Sequence, residues 1–447
     1  MARGKKKESA LTPEEKLAQA LIPEGEQPYR VPENWCWTTL KNVSNIVMGQ
    51  SPAGTDTTDD PSYIPLIGGA ADMGALYPKA TRYTKVPTKI SHAEDIILCI
   101  RATLGRPIYS DGEYCLGRGV AAIRSTILSK EFLRFFFIDQ EQYLYDNATG
   151  TTFAQINSDT LSHMPIALPP LAEQQRIVER IEYLFAKLDE AKEKAQSVLD
   201  SFETRKAAIL HKAFNGELTA KWREECNKTS HQSVDITLND LCTKITDGFH
   251  NSPVPTESGY PYVMAGNVHE TGIDYYNGLY MDEKNHRELY NKAHPEKGDI
   301  LIVNIGASTG RSAMIDVDFE FSFKNCAILK LKKEQVNSKY ILYYIWLRKD
   351  YLLKEVTRGG AQPFLSLKML KGISVPMVDL SEQQEIVHIL DSLFAKEQQA
   401  KEAAEAVLEK IDLLKKSILA RAFRGELGTN DPSEESAVEL LKSLFQA

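Results

Sequence analysis

The feature that most constrains this chain is that it contains the same long segment twice. Residues 171–219 read LAEQQRIVERIEYLFAKLDEAKEKAQSVLDSFETRKAAILHKAFNGELT, and residues 380–428 read LSEQQEIVHILDSLFAKEQQAKEAAEAVLEKIDLLKKSILARAFRGELG. The two align without a gap and about half of their positions are identical, which marks a duplication. Whatever the chain folds into must be assembled from two similar halves.

Each copy carries the spacing of a coiled coil. In the first, Ile177, Ile181, Leu184, Leu188, Ala191, Ala195, Val198, Phe202 and Ile209 fall at alternating steps of four and three, interrupted at Arg205. In the second the series is Ile386, Leu390, Leu393, Ala400, Ala404, Val407, Ile411, Leu414 and Ile418, interrupted at Glu397. Sustained apolar spacing near 3.5 residues with charged flanks predicts long helices that pair along a seam. Each would run about 44 residues, roughly 65 Å at 1.5 Å per residue. The competing reading is an ordinary amphipathic helix lying on its own globule, and such helices seldom run this far without caps or breaks.

Each copy follows a segment of another kind. Residues 31–170 and 234–378 contain short β-prone runs with turn residues between them. Examples are Ile96-Ile97-Leu98-Cys99-Ile100 and Ile300-Leu301-Ile302-Val303, entered through Asp95 and Asp299. Such runs predict mixed α/β or β-rich globules. The two globules echo each other at Thr39-Leu40 and Thr237-Leu238, at Ser51-Pro52 and Ser252-Pro253, and at Gly150 and Gly359. Both have a helical stretch near their end, at 131–145 and 338–354. The fold class expected is mixed α/β, two globular domains separated by two long antiparallel coiled-coil helices, with a pseudo-two-fold internal repeat. Antiparallel pairing would place the globules at opposite ends of a rigid spacer. Two unequal heads at fixed separation suit a target with two sites at fixed separation, as duplex DNA has at every turn of about 34 Å.

Composition narrows the setting. An apolar fraction of 43% and a charged fraction of 26% are those of a soluble globular protein. No apolar run approaches the roughly 20 residues of a membrane span. Residues 1–8 are basic without the apolar stretch of a signal peptide, which argues against export. Cys36, Cys99, Cys115, Cys226, Cys242 and Cys326 are scattered with no C-x-x-C pair, which fits a reducing cytoplasm and not a zinc ribbon. The net charge of -8 weighs against a nucleic-acid partner, although a groove can be basic on an acidic molecule.

The residues at the ends of the repeats carry a family resemblance. Leu168-Pro169-Pro170-Leu171-Ala172-Glu173-Gln174-Gln175, followed by the long helix and Phe214-Asn215-Gly216-Glu217-Leu218-Thr219-Ala220-Lys221-Trp222-Arg223, resembles the spacer of Type I restriction–modification specificity subunits. Leu380-Ser381-Glu382-Gln383-Gln384 through Ala422-Phe423-Arg424-Gly425-Glu426-Leu427 is similar to the distal spacer, and Val31-Pro32-Glu33-Asn34-Trp35 to the usual start of the first target-recognition domain. The resemblance covers nearly the whole chain in the right order. It implies a basic tail and short helix at 1–30, target-recognition domains at 31–170 and 234–378, spacer helices at 171–222 and 380–427, and a tail at 428–447.

The resemblance further implies that each domain reads one half of a bipartite, asymmetric sequence in double-stranded DNA. The spacer helices would dock two methyltransferase subunits, which modify adenine N6 with S-adenosylmethionine. Restriction and translocase subunits that use ATP would join them. Partner contacts are expected at Glu173, Gln174, Gln175, Phe214, Gly216, Glu217 and Leu218, and at Glu382, Gln383, Gln384, Phe423, Gly425, Glu426 and Leu427. In the family the terminal segments lie close together. Here Thr12-Pro13-Glu14-Glu15 has the cap and first-turn proline of a short helix, and Ala437, Leu440, Leu441 and Leu444 would share one face of another. One departure is that Gly428-Thr429-Asn430-Asp431-Pro432 stands where the first repeat continues Thr-Ala-Lys-Trp-Arg.

The chain's own residues predict no catalysis and no bound cofactor or metal. An N6-adenine methyltransferase needs an N/D-P-P-F/Y loop to hold a flipped base. The one Pro-Pro pair, Pro169-Pro170, is flanked by leucines at a helix start. There is no GxxxxGK[ST] phosphate loop, and His and Cys never cluster at metal-ligand spacing.

DNA readers are expected among polar and basic residues on Gly-containing loops, where the backbone can approach phosphate closely. In the first domain these are Gln50, Ser51, Arg101, Arg106, Arg118, Thr151, Thr152, Gln155 and Asn157. In the second they are His250, Asn251, Ser252, Asn304, Ser308, Thr309, Arg311, Lys324, Asn325, Arg358, Gln362, Ser366 and Lys368. Each has the alternative of being a solvated loop residue or a local cap. For the chain as a whole, a coiled-coil scaffold binding proteins at both ends would show no salt-dependent DNA binding, which phosphate neutralisation demands. A fused methyltransferase–nuclease would methylate DNA unaided.

Overall fold

The structure is a computed structural model that describes residues 11–150, 152–228, 231–248, 253–356 and 364–446. It divides into two compact units, Met1–Ala195 with Ala406–Ala447, and Gln196–Glu405. Each unit contains one globule and a part of both repeated segments.

In unit 1 the apolar run after Asp95 becomes the strand Ile96–Arg101, an inner member of a four-stranded antiparallel sheet. The order is Asn45–Met48, Val120–Arg124, Ile96–Arg101, Thr103–Tyr109. The run is continuous because both faces of the sheet are covered. Ile96, Leu98 and Ile100 share one core with Ala121 and Ile123, while Ile97 and Cys99 share another with Ile67, Leu116 and Val120. A second sheet of five short strands, including Ile64–Ile67 and Tyr114–Leu116, supplies that second cover. On the first face lies the helix Lys130–Asp139, capped by Ser129, whose hydroxyl accepts from Phe132 N at 3.1 Å. Its Phe132 and Phe136 rings meet Phe423 edge-on, with centroids at 5.2 and 5.8 Å. Cys36–Thr39 pairs with Pro165–Leu168, which closes the globule and aims the chain into the helix at Leu171.

Unit 2 repeats the four-stranded sheet and the closing strand pair, with a three-stranded and a two-stranded sheet in place of the five short strands. Its sheet runs Cys242–Asp247, Cys326–Leu331, Ile300–Val303, Ser312–Met314, and Val234–Thr237 pairs with Ser374–Met377. Individual bonds recur as well. Leu40 N donates to Met164 O and Leu238 N to Ile373 O, both at 2.9 Å. His92 N and Glu296 N donate to the side chains of Asp95 and Asp299 at 2.9 and 3.0 Å. Those buried aspartates take a base from the neighbouring strand, Arg124 in two bonds of 2.6 and 2.8 Å and Lys330 at 2.6 Å. Globules that echo only at scattered positions in sequence therefore share one fold.

The repeated segments are helical and pack together. The second is one helix, Leu380–Phe423, as its spacing predicts. The first departs from that expectation, ending at Asp200 and resuming over Phe202–Phe214. The cause lies in Ser201, whose hydroxyl donates to Ser197 O at 2.6 Å, and in Arg205, which donates to Val198 O at 3.2 Å. Ser197 O is shared between that hydroxyl and the helical bond from Ser201 N at 3.2 Å, and Val198 O is drawn to the guanidinium. In unit 2, Phe202 lies against Lys401 and Arg205 against Glu397, a falling register that makes the pair antiparallel. In unit 1, Asp189 bonds Lys415 at 2.6 Å. Ile177, Ile181, Leu419 and Ala422 are buried there, as are Leu210, Ile386 and Leu390 in unit 2. Two positions assigned to the seam are not covered, Val407 at 40% and Leu414 at 47% exposure. A straight helix drifts about 20° per heptad against a 3.5-residue stripe, which turns such positions outward.

The predicted stretch 131–145 is split at Gln140 into Lys130–Asp139 and Glu141–Asp146, whereas its counterpart is the single helix Ser338–Val356. Both terminal helices form. Pro13–Ala20 begins with a reciprocal Thr12–Glu15 capping box, and Ala437–Gln446 packs into the same core through Ala437 and Leu441 beside Ala20. No helix among the described residues is long and apolar enough to cross a membrane.

Candidate nucleic-acid interface

Three turns of unit 1 meet at one edge of its globule. Gly49 lies against the next turn so closely that a Cβ would collide with the carbonyl oxygens of Gly117 and Val120. The chain therefore passes at backbone distance, with Gly49 N donating to Val120 O at 3.0 Å and Gln50 N to Leu116 O at 2.8 Å. Ser51 Oγ accepts from Arg118 N at 3.2 Å. Beside them, Gly117 N donates to Ile67 O at 2.8 Å, which brings in Gly68 and Gly69. The hairpin after Arg101 turns through Ala102 at φ 64 and is tied to the loop at 149–155 by Ala102 N to Ala154 O, 2.8 Å. Together these turns surround an open cavity of about 380 Å³, lined by Ser51, Gly68, Gly69, Arg101, Arg118 and Phe153 among others.

The cavity has two guanidinium groups on exposed side chains, several glycines and an exposed aromatic ring, Phe153 at 59%. Guanidinium forks bind phosphate or the edge of guanine, close backbone admits a nucleotide, and a ring offers a stacking face. Phe153 was not among the expected readers. Its sole sequence signal is an aromatic residue inside an otherwise polar loop.

The expected residues of unit 1 separate by role. Gln50, Ser51, Arg101 and Arg118 stand exposed at this edge, with Thr152 and Gln155 exposed on the neighbouring loop. Arg106, at φ 51, is exposed as well, and its guanidinium donates to Ala70 O at 3.3 Å and Met73 O at 3.5 Å beside the turn at Gly69. Asn157 caps the helix Ser158–Ser162, accepting from Thr160 N at 2.8 Å.

In unit 2 Asn304 is 4% exposed and its Oδ1 has no hydrogen-bond partner, so it is a buried group and not a solvated loop residue. Thr309 is buried too, with its hydroxyl donating to Gly306 O at 2.6 Å. Ser366 caps the helix Leu367–Lys371 by accepting from Met369 N at 3.3 Å. Arg311 and Lys368 are exposed, while Ser308, Lys324 and Asn325 are half-buried, the last at φ 59. Thr151, His250, Asn251, Ser252, Arg358 and Gln362 lie outside the described residues.

The residues expected to meet partner proteins build the junctions at the helix ends. Glu173 is fully buried and takes Trp35 Nε1 at 2.7 Å, Asn430 Nδ2 at 2.8 Å and Thr429 Oγ1 at 3.3 Å. Glu382 is its counterpart and takes Arg223 at 2.7 Å, Thr219 at 2.8 Å and His231 at 3.3 Å. Burial pushes the Glu382 carboxyl up, but Arg223, Thr219 and His231 prevail and hold it below the usual range. Gln174 and Gln383 make the same pair of bonds, each accepting from a helix-cap N–H (Ser129, Asn337) and donating to a carbonyl (Pro169, Val378). The departing sequence after Gly428 thus folds back by another chemistry, neutral donors from Thr429 and Asn430 in place of Arg223.

Gly216 and Gly425 take left-handed φ of 82 and 71 at the helix ends, and Phe214 and Phe423 are buried. Gln175, Gln384, Glu217 and Glu426 are exposed, with Leu218 and Leu427 half-buried. Buried thiols serve packing. Burial pushes Cys36, Cys242 and Cys326 to about 12 and Cys99 to about 11. Among the described residues no group of three or more His, Cys, Asp or Glu could hold a metal ion.

A family model described as the Type I restriction modification DNA specificity domain matches residues 32–199 and again 232–410. The chain is 26% identical over 433 residues to the EcoKI specificity subunit of Escherichia coli strain K12, covering 89% of this chain and 90% of that one. It is 24% identical over 421 residues to the EcoBI specificity subunit of Escherichia coli, covering 88% and 86%. In fold it is similar to the HsdS subunit from Thermoanaerobacter tengcongensis, at a TM-score of 0.63 and 20% identity over 90% of this chain and 99% of that one. A chain from a structure of type I R-M complex assembly matches at a TM-score of 0.65 and 19% identity, over 89% and 100%.

Proposed function

The chain belongs to the family of Type I restriction–modification DNA specificity subunits, and on that premise we propose that its two globules each read one half of a bipartite, asymmetric DNA target. As such a subunit it is the non-catalytic, DNA-selecting part of its complex. The observation that carries the proposal is the recurrence of one sheet order and one set of strand-end bonds in both units, with different side chains on the loops. A shared frame with divergent loops suits two half-sites of different sequence.

The reading surface of unit 1 is the edge holding Gln50, Ser51, Arg101 and Arg118. Arg311, Lys324 and Lys368 serve unit 2. The exposed faces of the paired helices, with Gln175, Glu217, Gln384 and Glu426 at their ends, dock two methyltransferase subunits, and restriction subunits join that assembly. S-adenosylmethionine and ATP act on those partners, and the work is done in the cytoplasm. The buried Glu173, Gln174, Glu382 and Gln383 support docking indirectly by fixing the helix ends.

The test is binding of the chain, assembled with its methyltransferase subunits, to duplex DNA across a salt series. Specific binding that falls steeply and linearly in log–log form supports the proposal. A complex that binds proteins but no DNA would return the chain to the scaffold reading.

A further inference from the structure

The two units share a strand end at which their chemistry is opposite. In unit 1, Ile100 N donates to Gly119 O at 2.9 Å and Ile100 O accepts from Ile156 N at 2.9 Å. In unit 2, Asn304 N donates to Asn325 O at 3.1 Å and Asn304 O accepts from Leu365 N at 2.8 Å. These bonds make Ile100 and Asn304 equivalent, and with them the residues one step on. There each unit has an isolated antiparallel bridge, Arg101 with Gln155 in unit 1 and Ile305 with Phe364 in unit 2. Arg101 and Gln155 are exposed, Phe364 is 47% exposed, and Ile305 is half-buried.

We propose that this bridge is a specificity-determining position of both units. Arg101 and Gln155 read purine edges by hydrogen bonding, and Ile305 and Phe364 read a thymine methyl by apolar contact. The proposal rests on the DNA-reading function above and goes beyond it in assigning base chemistry to residues. Its physical basis is the major-groove code. An Arg fork matches guanine O6 and N7, a Gln amide matches adenine N6 and N7, and an apolar side chain suits the C5-methyl of thymine.

Position argues in the same direction. Arg101 lines the cavity with Arg118 and Phe153, where backbone turns leave room for a nucleotide. A core role does not explain these side chains, because the core residue of each strand end is the buried neighbour, Ile100 or Asn304. A two-stranded bridge holds its side chains on rigid backbone, which is what discrimination between base edges requires.

The experiment is methyl transfer by the assembled complex on a pool of duplexes with randomised half-sites, followed by sequencing of the methylated fraction. The expected result for R101A and Q155A is relaxed choice at one purine position each, at least about fivefold, confined to one half of the motif. F364A is expected to lose preference for thymine at a position of the other half. R101K keeps the charge but not the fork, and relaxation is expected to persist. An unchanged motif with uniformly weaker binding in R101A, restored by R101K, would mean a phosphate contact and overturn the assignment. So would relaxation spread over both halves, or an unchanged motif in all variants. Unfolding temperatures of the variants control for stability, and F364L provides a bulky alternative should F364A unfold. If the wild-type complex selects no two-part sequence, the DNA-reading proposal falls and takes this one with it. A clear wild-type motif untouched by these substitutions sinks the bridge alone.

Discussion

Arg205 and Glu397 each interrupt the apolar seam of their own helix, and they do so opposite one another, with Arg205 Nε donating to Glu397 Oε2 at 2.8 Å. Each breaks the pattern of its own segment, and together they mend it. The repeat places Leu414 at the position of Arg205 and Leu188 at that of Glu397, so unit 1 has leucines where unit 2 has an ion pair. A half-buried pair of this kind favours one register over its neighbours, because any slip leaves a charge against apolar side chains.

The prediction is an asymmetry between single and double substitution. R205L or E397L alone leaves one charge on the seam and is expected to lower stability by about 1–2 kcal/mol, between the exposed and buried limits for ion pairs. R205L/E397L reproduces the chemistry of unit 1 and is expected to be at least as stable as the parent. Urea unfolding of the four proteins closes the cycle, and additive losses in the double variant would refute the pairing argument.

Gly49→Ala tests the backbone contact on which the reading edge of unit 1 rests. The added Cβ collides with two carbonyl oxygens and not with a flexible side chain, so the turns must part. Destabilisation of about 1–3 kcal/mol is expected, together with loss of specific binding by the assembled complex. Gly248 makes the same approach to Phe323 O in unit 2, and Gly248→Ala should do the same to the other half-site. Normal binding by either variant would show that the edge tolerates separation of its turns.

Long-range architecture was legible where a pattern repeats over many residues. The duplication and the heptad spacing gave the paired helices, and the Thr12–Glu15 capping box gave the first short helix. The break at Ser201 was not legible, because one hydroxyl and one guanidinium competing for carbonyls leave the heptad pattern intact. The common fold of the globules was nearly invisible, since it is held by backbone bonds such as Leu40 N to Met164 O that any residue can make. Site residues were read by side-chain type and a nearby glycine. Type did not distinguish Arg101 and Arg118, which line the cavity, from Arg106, whose guanidinium bonds backbone carbonyls, or from Asn304, which is buried. It also passed over Phe153. Glu173 and Glu382 were found as motif positions, but their burial depends on residues more than a hundred positions away, Trp35 and Thr429 for one and Arg223 for the other.

Acid should weaken unit 2 through its helix junction. The Asp379 carboxyl is held down from 3.8 to about 2 by Lys228 and Ser381. Glu382 lies below its ordinary 4.5 because Arg223, Thr219 and His231 outweigh burial. Carboxylates depressed in the folded state contribute stability that is present above their unfolded pKa and is lost as pH falls through the folded value. The unfolding midpoint in urea is therefore expected to drop between about pH 4.5 and pH 2, and D379N should flatten the lower part of that fall. A wild-type midpoint independent of pH in that window would contradict the junction's geometry.

The two junction glutamates should respond unequally to the same isosteric change. At Glu173, Oε2 takes the N–H groups of Trp35 and Asn430, while Oε1 faces only the hydroxyl of Thr429, which can accept as readily as it donates. A glutamine with its oxygen at the first place and its NH2 at the second keeps a partner for Trp35, Asn430 and Thr429, so E173Q is expected to be near neutral. At Glu382 the same change leaves the guanidinium of Arg223, 11% exposed, without its counter-charge. Removing one member of a buried pair is worth about 3–5 kcal/mol, so E382Q is expected to unfold unit 2 far below the parent's midpoint. Replacing Arg223 as well, in R223M/E382Q, should recover much of that loss, because the stranded charge is gone. Equal effects of E173Q and E382Q on thermal unfolding would mean that Arg223 contributes no more than the neutral donors of the other junction.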